Sequence, residues 1–256
     1  MTPARELGVL VGKDVHMRPD ALQKHIIGTY FTLRLGIVVA SLLLPLVLYF
    51  GGNLGPHPGL LPSLSDYYVK GSDFTRDWFV GTLCTIGVSL YLYKGYSNAE
   101  NVVLNIAGVL AVVVALVRCR CGDVNRLGGG VHGTAAVLFF VCMAIVCLFC
   151  ASDTLPLIPQ EEQATERHFK MAYRVIGIVM ILFPAIALVI TLIFDQHDNF
   201  RFFVEAAGIY TFAAYWLVKS IELSKTEAEA IALRGQAMRV KGRGVVRAEE
   251  GARGRS

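Results

Sequence analysis

The chain has 256 residues, of which 54% are hydrophobic and 17% are charged, with a mean hydropathy of +0.53 and a formal net charge of +4. Soluble globular domains carry charge on about a quarter of their residues, so this composition excludes an ordinary soluble domain. It predicts a polytopic membrane protein. Each span then needs about 20 mostly apolar residues folded as a helix, because lipid offers the backbone no hydrogen-bonding partner.

Six apolar stretches are long enough to cross a membrane. In chain order they cover residues 35–52, 78–96, 101–117, 131–151, 171–194 and 200–218. The connectors after the second and fifth stretches are short, which requires antiparallel neighbours and favours one bundle. The predicted fold is therefore an all-α bundle of six transmembrane helices, in which Pro45 kinks the first helix more than it breaks it.

The distribution of positive charge predicts how this bundle is oriented. Of the 24 Lys and Arg residues, 18 lie in the N-terminal arm with Arg34, the loops after the second and fourth spans, and the C-terminal tail. The positive-inside rule therefore places both termini in the cytoplasm. The predicted organisation is a cytoplasmic arm (1–26), a six-helix transmembrane domain (27–222) and a basic cytoplasmic tail (223–256).

The tail ends in a Gly- and Arg-rich segment, "RVKGRGVVRAEEGARGRS". Its composition predicts disorder, and its positive charge favours contact with anionic lipid headgroups. A nucleic-acid partner is not expected, because no aromatic residues for base stacking are interleaved with the arginines.

The charged residues nearest the second span have a structural interpretation. Asp73 is predicted to cap the helix, Asp77 lies in the first turn, where a carboxylate meets the positive end of the helix dipole, and Trp78 fits the interfacial aromatic belt. At the other end of this span, Tyr91, Tyr93 and Tyr96 are predicted to form the matching belt, with Lys94 extending its amine to the interface. Arg34 and Lys219 are predicted at that same cytoplasmic interface.

A group of ionisable and polar residues is predicted at the opposite, external face. Charged groups near a span usually turn toward partners or water, so this group is a candidate polar pocket. The candidate ligand-binding residues are Ser65, Asp66, Tyr67, Arg76, Asp77, His132, Arg201 and Glu205.

Several of these residues also have a plainer structural interpretation. Arg201 and Glu205 are four residues apart on one helix, a spacing that permits an ion pair that only fixes helix packing. His132 can be a neutral interfacial histidine with one hydrogen bond, and Asp66 can cap a turn. The sequence leaves a polar pocket and a purely structural cluster both open.

The cysteines give no support for a metal site. Cys119 and Cys121 fall in an external loop near Asp123 and His132, but Cys-x-Cys lacks the usual spacing of zinc ligands. The other four cysteines lie in apolar spans, where a thiol acts as a small hydrophobe. No metal and no cofactor is predicted.

Several local patterns together resemble a known group of proteins. "SDYY", "RDWFVGTLCTIGVSLYLYKGY", "NIAGVLAVVVAL", "VHGTAAVLFF" and "FFVEAAGIYTFAAYWLVKS" resemble uncharacterised bacterial six-span membrane proteins. More distantly, they are similar to the DRAM-like and Frag/Sfk-like membrane superfamily. The chain departs from the bacterial pattern after the third span, where it reads "VRCRCGD" in place of a Phe-Pro-Thr-like segment.

The resemblance implies a function in lipid organisation without an agreed catalytic chemistry. It also implies an external cluster that includes Ser65, Asp66, Tyr67, Arg76, Asp77, His132 and Glu205. We therefore expect a non-enzymatic, multi-pass protein of the bacterial plasma membrane that binds a lipid headgroup or a small polar ligand. In that interpretation Arg76 and Arg201 neutralise an anionic group, which Asp66, His132 and Glu205 orient.

Two alternatives remain open at this stage. One is a membrane hydrolase of a lipid amide or ester, similar to the alkaline-ceramidase-like superfamily, with His132 and Asp66 or Glu205 in acid-base or metal roles. Against it, the chain has six clear spans in place of seven and lacks His-x-x-x-His in the last one. The other alternative is a small-solute or proton-coupled transporter that uses Glu205 as its titrating group.

Overall fold

A computed structural model describes residues 19–52, 59–118, 130–158, 162–193, 200–226, 228–233, 238–241 and 244–247. Eight α-helices make up nearly all of this part of the chain. They are α1 (Pro19–Gly52), α2 (Asp66–Lys70), α3 (Asp73–Leu92), α4 (Asn98–Leu116), α5 (Val131–Ile145), α6 (Gln163–Ile193), α7 (Phe200–Thr226) and α8 (Ala228–Leu233).

The six long helices pack in a closed ring. Going round it, α1 contacts α3, α3 contacts α4, α4 contacts α5, α5 contacts α6, α6 contacts α7, and α7 returns to α1. The short helix α2 lies against α3. We call the end where α3, α5 and α7 begin the outer end, and the end where α1, α4 and α6 begin the inner end. The names follow the predicted orientation of the chain.

Four of these helical segments are long and apolar enough to cross a membrane: Ala21–Gly52, Asn98–Leu116, Val131–Leu157 and Gln163–Ala187. Their outward faces carry large apolar side chains, among them Leu42, Val109 and Ile178. Such apolar faces are stable in contact with lipid. The bundle and the multi-pass membrane class are thus supported.

The other two predicted spans fall on α3 and α7, which carry more charge. The first turn of α3 contains charged residues, and α7 contains two charged residues near its start and three near its end. That these two helices also cross the membrane stays a prediction.

Several boundaries differ from the sequence-based ones. The helix of the first predicted span begins at Pro19, not near residue 35, and continues through Pro45. The cap of α3 is Ser72, whose Oγ accepts a hydrogen bond from the Thr75 amide, so the prediction for Asp73 was one residue late. The α-helix α5 ends at Ile145, and a π-helical turn (Val146–Cys150) and a 3-10 turn (Ala151–Leu157) follow it.

Two glycines let α3 and α4 approach closely. A Cβ atom built on Gly87 would lie 2.7 Å from the Gly108 carbonyl oxygen, and one built on Gly108 would lie 2.6 Å from the Gly87 carbonyl oxygen. Small residues at such a crossing bring two backbones into direct contact, which lipid-facing helices use for association.

The segment predicted as a tail contains structure beyond α7. Helix α8 follows, and then a small antiparallel pair of strands, β1 (Met238–Lys241) and β2 (Gly244–Arg247). The four described cysteines, Cys84, Cys142, Cys147 and Cys150, are free thiols. Cys119, Cys121 and Asp123 lie outside the described residues.

Candidate functional site

The outer end holds a group of polar side chains that we call the outer polar cluster. It comprises Ser65, Asp66, His132, Arg201 and Glu205. Ser65 and Asp66 come from the start of α2, which packs against α3, while α5 and α7 supply the rest from their first two turns. The cluster therefore depends on a five-residue helix that has its own contacts with the bundle.

Ser65 and His132 form the shortest side-chain link in this cluster. The Ser65 Oγ lies 2.8 Å from His132 Nε2, and His132 Nδ1 lies 2.8 Å from the Val117 carbonyl oxygen. A carbonyl oxygen only accepts hydrogen bonds, so Nδ1 carries a proton. In the neutral imidazole Nε2 then lacks one and accepts the hydroxyl proton of Ser65.

Arg201 lies between the two carboxylates of the cluster. Its Nη2 is 4.0 Å from Asp66 Oδ2, and its Nε is 3.8 Å from Glu205 Oε1. These distances allow charge attraction but exceed the range of a hydrogen bond. Among the described residues Arg201 makes no hydrogen bond, although its side chain is only 15% exposed.

The two carboxylates are themselves held in place by other groups. Glu205 Oε2 accepts a hydrogen bond of 2.8 Å from the Leu64 amide, which attaches the segment before α2 to α7. Asp66 is buried, and its Oδ1 lies 3.5 Å from Lys70 Nζ. With Lys70 counted beside Arg201, the positive charges at this end equal the negative charges of Asp66 and Glu205.

Tyr67 supports the cluster from beneath and does not line it. Its side chain is buried against Phe202, with ring centroids 6.0 Å apart, and its hydroxyl accepts a hydrogen bond from the Leu61 amide. Burial raises the pKa of Tyr67 above its ordinary value. A Cβ atom on Gly52 would lie 2.5 Å from this ring, so glycine at the end of α1 makes room for it.

Arg76 and Asp77 are placed apart from the other predicted site residues. Arg76 pairs with Asp73 at 3.1 Å and with Asp77 at 3.3 Å, and these side chains are exposed. Within the described part of the chain, no hydrogen bond or ion pair joins Arg76 or Asp77 to the outer polar cluster. Five of the eight predicted residues therefore form the cluster and Tyr67 packs beside it, while Arg76 and Asp77 form a surface ion pair.

The inner end holds a second polar group, which was not predicted from the sequence. The inner polar network comprises Thr154, Tyr173, Lys219 and Glu222. Lys219 Nζ donates to Glu222 Oε2 at 2.8 Å, to Thr154 Oγ1 at 2.8 Å and to the Ala151 carbonyl at 3.1 Å. Glu222 also accepts from the Thr154 and Tyr173 hydroxyls, at 2.7 and 3.0 Å.

This network corrects the interfacial interpretation of Lys219. Its side chain is 1% exposed and that of Glu222 is fully buried, so neither reaches an interface. Tyr93, predicted in an aromatic belt, is buried as well and packs on Trp216 with ring centroids 4.9 Å apart. The spacing of Lys219 and Glu222, three residues apart on one helix, was the available signal.

Comparison of the chain with family models, with curated proteins and with solved structures finds no match. The described residues contain no group of three or more His, Cys, Asp or Glu side chains arranged to hold a metal ion. The assignment to a class therefore depends on the helices themselves: the chain is an all-α helical bundle with four candidate membrane spans.

Proposed function

We propose that this chain is a six-span protein of the bacterial plasma membrane, and that its outer polar cluster recognises a lipid headgroup or a small polar ligand. The ring of six long helices supports six spans, because α3 and α7 pack between helices that are themselves candidate spans. The Lys and Arg distribution supports cytoplasmic termini. The resemblance to bacterial six-span proteins and to the DRAM-like superfamily is consistent with this proposal.

The observation that supports the proposal most strongly is that the nearly buried Arg201 makes no hydrogen bond to a described residue. A guanidinium has five N–H donors, and burying it without hydrogen bonds is costly. Arg201 is nearly buried, is attracted by two carboxylates and donates to neither. A purely structural arginine is expected to close such contacts to about 2.7–2.9 Å, so the open donors favour a ligand.

The surrounding groups define which ligand chemistry fits. An anionic phosphate or carboxylate satisfies the free donors of Arg201. Asp66 and Glu205 repel a second anion but accept hydrogen bonds from hydroxyl or amine groups of the same ligand. A phosphate that carries hydroxyl or amine substituents, as in a phospholipid headgroup, can bind Arg201 through the phosphate and Asp66 and Glu205 through those substituents.

We expect Arg201→Gln to weaken binding of dihexanoylphosphatidylglycerol at least tenfold, because the substitution removes the charge that receives the phosphate. Binding is measured by calorimetric titration of purified protein in a nonionic detergent. Arg76→Gln is the matched control at the same end of the bundle, and its affinity should stay within about twofold of the original chain. An Arg201→Gln variant that binds as tightly as the original protein contradicts the proposal.

A second candidate function is hydrolysis of a lipid ester or amide, and the Ser65–His132 geometry favours it. A serine hydroxyl that donates to an unprotonated Nε2 at 2.8 Å is the arrangement of a nucleophile and its general base. In this chain the Val117 carbonyl accepts a hydrogen bond from Nδ1 of His132 and so orients the imidazole. Ser65 is half-buried, so an acyl group can approach its hydroxyl.

If this second function is correct, a lipid-like fluorophosphonate should label Ser65, and His132→Gln should abolish the labelling. Ser72→Ala, which removes the cap of α3 away from His132, is the control and should leave it unchanged. Labelling is read by mass spectrometry of the intact, detergent-solubilised chain. Folded protein whose Ser65 stays unmodified at millimolar probe excludes this function.

A further inference from the structure

Arg34 is a buried arginine at the inner end of the bundle. Its side chain is 1% exposed, although it lies on a helix whose outward face is apolar. It was predicted at the membrane interface, where an arginine extends its charged group into water. Burial of a full positive charge requires a compensating anion, so the identity of that anion decides what this position can do.

The anion that compensates Arg34 is Glu229 of α8. Arg34 Nη1 lies 2.6 Å from Glu229 Oε1, and Nη2 lies 3.4 Å from Oε2, so both carboxylate oxygens face the guanidinium. No other ion pair to Arg34 exists among the described residues. The same two-point geometry is what an arginine offers to a carboxylate or phosphate ligand.

Helix α8 is attached to the bundle by few further contacts. It has six residues and begins after α7 has ended, and a helix of this length is not stable alone in water. Ala228 is buried, and Gln23 Nε2 donates to the Ala230 carbonyl at 3.3 Å. Glu229 therefore reaches Arg34 on a short segment that a competing anion can displace.

The position around Arg34 also retains donor capacity that Glu229 does not use. Arg34 Nε is buried and has no hydrogen-bond partner. The buried Tyr93 hydroxyl faces the same guanidinium without a hydrogen bond of good geometry. A tetrahedral phosphate has more acceptor oxygens than the carboxylate of Glu229, so it can use donors that the present arrangement leaves free.

We infer that Arg34, with Tyr93, forms a second anion-binding site at the inner end, which takes a phosphate or carboxylate group, and that Glu229 occupies it as a tethered substitute. Binding of the anion and docking of α8 are mutually exclusive, because both use the Nη atoms of Arg34. The ligand is the phosphate of a lipid headgroup or a free phosphate, and the two sources share this chemistry. The inference is independent of the outer polar cluster.

The test uses the full chain in nonionic detergent with two probes, dihexanoylphosphatidic acid and inorganic phosphate. Glu229→Gln removes the tethered anion, so we expect affinity for at least one probe to rise tenfold or more over the original chain. Glu162→Gln is the matched control, since it makes the same change at an exposed position that has no side-chain hydrogen bond or ion pair among the described residues. The gain should disappear in Arg34→Gln/Glu229→Gln and persist in Arg201→Gln/Glu229→Gln.

The two probes identify the source of the anion. A gain for phosphatidic acid alone indicates a lipid headgroup, and a gain for both indicates a site open to free phosphate. A folded Glu229→Gln variant with no gain for either probe overturns the inference. If that variant fails to fold, hydrogen exchange of the original chain decides: faster exchange in α8 at saturating probe, with α4 unchanged, supports the inference, and unchanged exchange in α8 overturns it.

Discussion

Replacing Lys219 by methionine is expected to lower the free energy of unfolding by about 3–5 kcal/mol, because it leaves the buried carboxylate of Glu222 without its positive partner. Methionine fills a similar volume, so the loss reports the charge and not a cavity. Glu222 retains hydrogen bonds from Thr154 and Tyr173, but two neutral hydroxyls do not compensate a buried negative charge.

The measurement is equilibrium unfolding in mixed micelles, followed by circular dichroism. Lys225→Met is the control on the same helix, where the side chain is exposed, and its effect should stay within about 0.5 kcal/mol. The double variant Lys219→Met/Glu222→Leu removes both charges and should lose less than Lys219→Met alone. A Lys219→Met variant as stable as the Lys225→Met control contradicts the buried pairing.

Replacing Trp216 by alanine is expected to lower the free energy of unfolding by about 3–5 kcal/mol, the range for removing a large side chain from a packed core. Trp216 is fully buried, and its ring contacts those of Tyr93 and Tyr215, with centroids 4.9 and 5.2 Å away. Its removal opens a cavity in the core where Tyr93, the residue after the end of α3, packs on α7.

Leu217→Ala is the matched control, because this neighbour on α7 is 48% exposed on the outward face. Leu217→Ala should lower the free energy of unfolding much less than Trp216→Ala, since lipid or detergent covers the shortened side chain and no internal cavity forms. Both values come from the same micelle unfolding experiment. Equal losses for the two variants contradict the assignment of Trp216 to the core and Leu217 to the lipid-facing surface.

The sequence predicted the helices well because each apolar run is a local signal. Four of the six predicted spans correspond to helical segments long and apolar enough to cross a membrane. The ends of the spans were predicted less accurately. The first helix begins at Pro19, because polar residues can continue a helix beyond the apolar run, whereas α3 ends at Leu92, before the predicted limit at 96. Hydropathy reports burial in lipid and does not report where the backbone leaves the helix.

The candidate site was predictable only in part. The order of the spans indicates which residues lie at the same depth in the membrane. It correctly indicated that the residues of the outer polar cluster lie at one end of the bundle. Depth alone did not separate Arg76, which pairs with its neighbours at the surface, from Arg201, which turns inward. That difference depends on which face of each helix meets the bundle, and a single sequence does not contain it.

The inner polar network was missed for a different physical reason. Lys219 and Glu222 are close along the helix, but Thr154 and Tyr173 are 65 and 46 residues away from Lys219 in sequence. A lysine near the end of a predicted span is typical of an interfacial residue. Only the packing of α6 and of the turn after α5 buries Lys219. Buried polar groups of this kind are identified by contacts and not by pattern.

The most direct test of the central claim is to locate a bound headgroup on the protein. A short-chain phosphatidylglycerol with a photoreactive diazirine is crosslinked to the intact chain, and the modified peptides are mapped by mass spectrometry. We predict modification of α2 and the first half of α7, competed by unlabelled dihexanoylphosphatidylglycerol and lost in Arg201→Gln but not in Arg76→Gln. Crosslinks that avoid both segments, or that persist undiminished in Arg201→Gln, contradict recognition at the outer polar cluster.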